Sequence, residues 1–353
     1  MLRDIKVSFS PHISGPLSTR RVMVDVVIGL IPAMAAAGYY FRGHALILIC
    51  TCVVGCVATE WVCNVIRKKP NSLGDFSAVV TGIILALSLP PGLPVWMAVI
   101  GSVFCIAVGK MAFGGLGANI FNPAMVGRTF LTVSFGVLMT TWTAPVTVDA
   151  RMPKICAENI EDVRAQATPL AWSKMAIKNE LGADLYAQQN FGSTITGQVG
   201  GSLGETSAIA LLIGGFYLLI RRTISVHIPL AVLLSAFVFA AVPYVLDSEL
   251  HFEPRLAIIH SGRYVQPFYH ITSGALLLCA FFIATDPVTA PLTRRGMWAF
   301  GIGVGTLTML IRIVGEYPEG VMFSVLLMNA ATPLIDRLCK RVPAGGEPGT
   351  GGL

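Results

Sequence analysis

Residues 76–94 read FSAVVTGIILALSLPPGLP. Phe76 to Leu89 is apolar and uncharged, and Pro90-Pro91-Gly92-Leu93-Pro94 ends it abruptly. A helix that crosses a bilayer needs about 20 such residues, so this segment is short for a full crossing. A second stretch of the same kind, HITSGALLLCAFFIATDP at 270–287, lies in the other half of the chain. It too stops at a proline, in Asp286-Pro287. Each stretch carries a small hydroxylated residue followed by glycine, Thr81-Gly82 in one and Ser273-Gly274 in the other. Paired, interrupted apolar segments in related halves point to a binding site inside a membrane protein.

Composition agrees with that class. Of 353 residues, 54% are hydrophobic and 12% charged, and the mean hydropathy is +0.71. Soluble domains carry about 25% charge. The net charge of +6 reflects Arg and Lys at segment ends, which orient helices, and it implies no nucleic-acid partner. Met1 to Thr19 has no apolar core, so no cleavable signal peptide is expected.

The hydropathy pattern predicts ten spans in an all-α membrane protein. They are Val22–Phe41, His44–Ile66, Phe76–Leu89, Val95–Ala112, Asn122–Trp142, Ser207–Ile220, Ile224–Leu246, His270–Thr285, Met297–Ile313 and Gly320–Leu338. With the N-terminus inside, Arg67-Lys68-Lys69, Lys110, Arg221-Arg222, Arg294-Arg295 and the tail Arg337, Lys340, Arg341 fall on the cytoplasmic side, as the positive-inside rule requires. Both termini are then cytoplasmic, and the loop Thr143–Thr206 is external. Five spans per half reverse the second half in the membrane, which makes an inverted repeat with its special site between the halves. The regions are a 1–21 cytoplasmic segment, a 22–142 first repeat, a 143–206 external loop, a 207–338 second repeat and a 339–353 tail. The competing reading is that apolar helices resemble one another by chance.

Ionisable residues within spans mark ion or proton paths, because each costs at least about 2.5–3.5 kcal/mol to insert. Asp25, Glu60, Asp75 and Asp286 are the acidic candidates. Asp286 leads for coupling: the following proline frees backbone carbonyls beside a carboxylate, a donor set that suits sodium or a relayed proton. Asp75 and Glu60 are the other coupling candidates. For Asp25, Asp75 and Asp286 the competing role is helix capping at the interface; for Glu60 it is snorkelling toward Arg67-Lys68-Lys69.

Gly114-Gly115-Leu116-Gly117 runs into Asn119-Ile120-Phe121-Asn122-Pro123-Ala124, a glycine-rich entry to a helix start. Free N–H groups and the helix dipole at Asn122, with Arg128 further on, suit an anion, a phosphate or a flavin edge. Close helix packing is the alternative for the glycines. Eight cysteines show no C-x-x-C. Cys52 and Cys56 share a helix face, as do Cys56 and Cys63, so an intramembrane iron–sulfur centre stays open beside simple apolar packing; no metal ligand set is assigned. There is no Walker loop, dinucleotide fingerprint or H-E-x-x-H, which argues against ATP hydrolysis or direct NADH binding. Gly200-Gly201-Ser202-Leu203-Gly204-Glu205-Thr206-Ser207 ends the external loop, and taken alone it is a helix start capped by Thr206 or Ser207.

At these residues the chain resembles the family formed by the D component of the Rnf electron-transport complex and the B component of the sodium-pumping NADH:quinone oxidoreductase. The likeness rests on Ser-Pro-His at 10–12, Thr81-Gly82 with Leu89-Pro90-Pro91, Asn122-Pro123-Ala124, Ser202 to Ser207, and Ala284-Thr285-Asp286-Pro287-Val288-Thr289. It implies a covalent FMN, joined through its phosphate to Thr206 by a flavin transferase, with Gly204 and Ser207 in the attachment motif. The transferase's general pattern is Asp, two residues, Ser/Thr-Gly-Ala-Thr. Here Gly200, Leu203 and Glu205 depart from it, which puts the efficiency of attachment in question. The resemblance further implies a non-covalent riboflavin in the bundle and a urea-transporter-like fold of two inverted five-helix repeats.

The function expected is that of a flavin-carrying subunit in the bacterial inner membrane. It would exchange electrons with partner subunits that carry a second flavin and iron–sulfur centres, on the ferredoxin/NAD side, and couple them to sodium or proton movement. Its other contacts are the flavin transferase and membrane lipid. The alternatives are a cofactor-free transporter or channel of the same architecture, and a structural anchor for a redox partner.

Overall fold

A computed structural model describes residues 18–68, 72–143, 199–205, 207–246, 264–315 and 319–339, with residues 168, 170, 171, 192, 194–197, 251–253 and 258–260 between them. The expectation at Thr206 and those for the tail beyond Cys339 lie outside the described residues.

Helix α1 covers Thr19–Ile66 and starts where the Ser18 hydroxyl accepts from Arg21 N. Its 48 residues would run about 72 Å, over twice the ~30 Å apolar core of a bilayer. Arg42 divides it, with φ 54° and ψ −137°, so the two predicted spans become two helical stretches on either side. Then follow α2 (Ser77–Leu87), α3 (Val95–Ile106), which widens into a π-turn over Ala107–Met111, α4 (Pro123–Ser134) and α5 (Gly136–Thr140). The second half has α6 (Ala208–Ile220), α7 (His227–Leu246), α8 (Pro267–Thr272), α9 (Leu276–Leu278) with a π-turn over Cys279–Ile283, α10 (Arg294–Ile313) and α11 (Val321–Leu338). Each predicted span thus contains helix. Among the described residues four helices, α1, α7, α10 and α11, are long and apolar enough to cross a membrane. An antiparallel hairpin, β1 (His251–Glu253) with β2 (Ile258–His260), is the departure from all-α among the described residues.

Leu230, Leu234, Val238, Val242 and Val245 are all more than 45% exposed on α7. Their spacing of three to four residues puts them on one helix face. An apolar outward stripe of that kind suits lipid contact. The opposite face is tight: a methyl group on Gly301 or Gly305 of α10 would come within 2.6 Å of the Ala231 side chain or 2.1 Å of the Ser235 hydroxyl on α7. Small residues let these two helices pack backbone to backbone.

The two short segments behave differently. The first is continuous through Thr81-Gly82 and breaks only after Leu87. The freed carbonyls of Leu87 and Leu89 accept from Gly204 N at 2.6 Å and Leu203 N at 3.0 Å. The second breaks twice, after Ile283 and also at Ser273-Gly274, where Gly274 has φ 72°. Arg312 enters that break and donates to the carbonyls of His270 at 2.6 Å and Ser273 at 3.2 Å. A charged donor from α10 therefore replaces helical hydrogen bonds there, while Thr81-Gly82 keeps its own.

Candidate functional site

Two cavities lie among polar residues of the bundle. The first takes Ser77, Thr81 and Ile84 from α2, Lys110 from the π-turn after α3, Asn119, Asn122 and Ala124 at the start of α4, and Phe281, Phe282, Thr285 and Asp286 around the break after Ile283. Its empty space, mouth included, is about 700 Å³. Asp286 is half-buried on its wall, with its carboxylate accepting from Val288 N and the Thr289 hydroxyl at 3.3 and 3.2 Å. The Asn122 side chain caps α4 by accepting from Ala124 N and Met125 N, and its Nδ2 donates to the Ile283 carbonyl at 3.3 Å. This ties the start of α4 to the end of the broken segment. The buried Asn119 Oδ1 has no partner.

Beside this cavity lies an ion pair that sequence reading misplaced. Lys110 is not a cytoplasmic loop residue; it is 1% exposed. Its Nζ donates to Glu60 Oε2 at 2.8 Å and to the Ser77 hydroxyl at 2.6 Å. Nor does Glu60 snorkel: it is fully buried, and the Ser72 hydroxyl donates to its other oxygen at 2.5 Å. A buried carboxylate needs such a partner more than it needs the interface. Asp75 accepts from Ser77 N and the Ser77 hydroxyl, so Glu60, Lys110, Ser77 and Asp75 form one connected chain. Asp25 is separate; it is bound by Tyr217, Arg221 and Thr223.

The second cavity, of about 300 Å³, is lined by Thr168, Leu170, Val199, Gly200, Glu205, Thr272, Ser273, Gly274 and Glu319. Four buried charges meet at or beside it. Arg128 Nη2 pairs with Glu319 Oε2 and lies 3.8 Å from Glu205 Oε1. Arg312 fills the second break. Only Arg128 of these was singled out from sequence, as a charge for a bound anion; in the structure two carboxylates engage it. The missed signal was Arg312 within a predicted span, since an intramembrane arginine calls for an acidic partner.

Gly204 serves close packing: a methyl group there would meet Leu87 at 2.9 Å. Ser207 is the cap of α6, its hydroxyl accepting from Ala210 N at 3.3 Å. Thr206 lies between these two described neighbours. The cysteines Cys52, Cys56 and Cys105 are buried, and among the described residues no group of His, Cys, Asp and Glu is placed to hold a metal ion.

The cavities are close to each other. Ala124 lines the first and Arg128 serves the second, a rise of about 6 Å along α4. The matched hydroxyl–glycine pairs are divided between them, Thr81 in the first and Ser273 in the second.

The family model described as the NQR2, RnfD, RnfE family matches residues 6–345. The chain is 42% identical over 339 residues to the D component of a sodium-translocating ferredoxin:NAD(+) oxidoreductase complex from Acetobacterium woodii, covering 96% of this chain and 94% of the relative. It is 37% identical to the D component of a proton-translocating ferredoxin:NAD(+) oxidoreductase complex from Clostridium ljungdahlii, covering 96% of each. The D component of an ion-translocating oxidoreductase complex from Actinobacillus succinogenes is 36% identical, over 96% of this chain and 98% of the relative.

Proposed function

The chain belongs to the NQR2, RnfD, RnfE family, and on that premise we propose that it is the flavin-carrying member of its complex. It is a multi-pass membrane subunit of an ion-translocating redox complex. The observation that carries the finer reading is the first cavity, where the Asp286 carboxylate shares a wall with Phe281, Phe282 and a set of polar side chains.

The cavity suits a flavin ring. Phe281, Phe282 and Ile84 offer apolar walls, and Thr81, Thr285, Asn119 and Lys110 offer polar edges. The orphaned Asn119 Oδ1 is an acceptor in want of a donor, and a flavin ring N–H would supply one. These residues would hold a non-covalent riboflavin, and Thr206 would carry FMN through a phosphoester at the start of α6. Bound flavin supplies the electron transfer; the protein supplies position and charge. Lys110 is anchored by its hydrogen bonds to Glu60 and Ser77 and offers an N–H donor at the cavity edge. Asp286 exchanges a sodium ion or proton with the cavity mouth, and Thr289 and Val288 N orient its carboxylate.

By the positive-inside rule, the end carrying Arg20, Arg21, Arg221 and Arg222 faces the cytoplasm of a bacterial inner membrane. The chain is read as two inverted five-helix repeats with ten crossings and both termini inside, a reading supported by the helix present in each predicted span. Electrons would pass to and from partner subunits with another flavin and iron–sulfur centres, after a flavin transferase has loaded Thr206.

Denaturing electrophoresis tests the cofactor directly. The wild-type band should fluoresce as a flavin, and Thr206→Ala should be dark at equal protein level. A dark wild-type band would instead favour a cofactor-free cation pathway, for which the two cavities are also an argument.

A further inference from the structure

We propose that Glu205 is a proton-binding residue of the second cavity, holding one proton beside the Glu319 carboxylate and releasing it into that cavity. The site stands on geometry alone; only its link to ion coupling rests on the reading above.

The two carboxyl groups are unequally served. Glu319 Oε2 has Arg128, and its Oε1 accepts from Ala275 N at 3.0 Å. Glu205 Oε2 accepts from Ser202 N at 3.3 Å, but its Oε1 is buried with no hydrogen-bond partner. The 3.8 Å gap to Arg128 exceeds hydrogen-bond reach. Arg312 donates to two backbone carbonyls instead. One carboxylate is thus bound at both oxygens and the other at one oxygen alone. Two carboxyl groups in one buried site do not both ionise readily, and the less well served one keeps the proton.

Every charged or titratable group facing Glu205 among the described residues comes from a different element. Arg128 stands on α4, Arg312 on α10, and Glu319 just before α11. Burial, then the charge of Glu319, pushes the Glu205 carboxyl well above the usual carboxylate range. Burial acts on Glu319 as well, but Arg128 and Arg312 outweigh it and hold that group below its ordinary value. The hydroxyls of Ser202 and Ser273 are buried without partners, and Ser273 lines the cavity with Glu205. Unsatisfied polar atoms facing a cavity are where a water binds, and such a water takes up the proton. The step is Glu205–COOH to Glu205–COO⁻ plus H⁺ to cavity water. No covalent bond other than O–H changes, and Arg128 and Arg312 offset the new charge.

The test is infrared difference spectroscopy on the intact complex in lipid nanodiscs, titrated from acid to alkaline buffer in H₂O and in D₂O. Wild type should show a carboxylic-acid C=O band that shifts in D₂O and is lost at alkaline pH. Glu205→Gln should lack that one band, while Asp286→Asn keeps it. Thr206→Ala should also keep it, so failure of the flavin assignment is distinguishable from failure of this one. Retention of every band in Glu205→Gln overturns the proposal. So does a band that titrates with sodium at fixed pH, which would make the site a sodium site. If Glu205→Gln does not assemble, Glu205→Asp decides: the band must move in frequency, and an unmoved band overturns the assignment.

Discussion

The bundle holds two buried charge clusters, and they are finished to different degrees. Around Glu60 and Lys110 the contacts are complete: Ser72 and Glu60 meet at 2.5 Å, Lys110 and Glu60 at 2.8 Å, Lys110 and Ser77 at 2.6 Å. Around Arg128, Glu205, Glu319 and Arg312 they are not, since Glu205 Oε1, Ser202 Oγ, Ser273 Oγ and both arginine Nε atoms lack partners. A closed pair resists any change of charge, because either partner alone is a stranded ion. An open cluster tolerates a change, and that is what a moving proton needs. The first cluster fixes the π-turn after α3 to α1 and the start of α2. The second is built to change state.

The largest expected effect separates the two. Lys110→Ala or Glu60→Ala should cost about 3–5 kcal/mol by leaving one buried charge unpaired. Loss of the protein from membranes, read by immunoblot, is the expected outcome. A double replacement by Met should recover much of it, because an apolar pair of similar volume is close to neutral. If the single variants accumulate normally, the closed cluster is not structural and the contrast fails.

Asp286→Asn should act on coupling instead. The fold is kept, since the amide retains an acceptor for Val288 N. The sodium or pH dependence of electron transfer in vesicles should weaken or shift while flavin content stays constant. Wild-type behaviour on both axes would leave Asp286 as a helix terminator. The smallest effect belongs to Ser207→Ala, which removes the α6 cap at about 1 kcal/mol. A modest fall in thermal midpoint with flavin fluorescence intact would keep Ser207 structural; loss of flavin would make it part of the attachment site.

Much of the frame was legible in sequence because hydropathy is local. Ten apolar segments were read, and helix lies in each; the breaks at Pro90-Pro91 and Asp286-Pro287 follow from proline itself. The first cavity was half legible: Thr81, Asn122 and Asp286 were marked, and they do meet. Pairing was not legible, because it is set by packing between distant residues. Lys110 sits at a segment end, so it read as a loop charge, while its partner Glu60 is 50 positions away. Arg128 and Glu319 are 191 apart. Glu205 and Glu319 lie outside the apolar runs, where a charge gives no warning of burial. The second break at Ser273-Gly274 depends on Arg312, which nothing local announces.

The central claim is that this protein carries electrons as well as anchoring a complex. Electron transfer and membrane potential, recorded together in inverted vesicles containing the whole complex with Thr206→Ala, test it most directly. Both signals should fall to background while the complex stays assembled. Wild-type rates of both would contradict the claim and leave the chain a structural anchor.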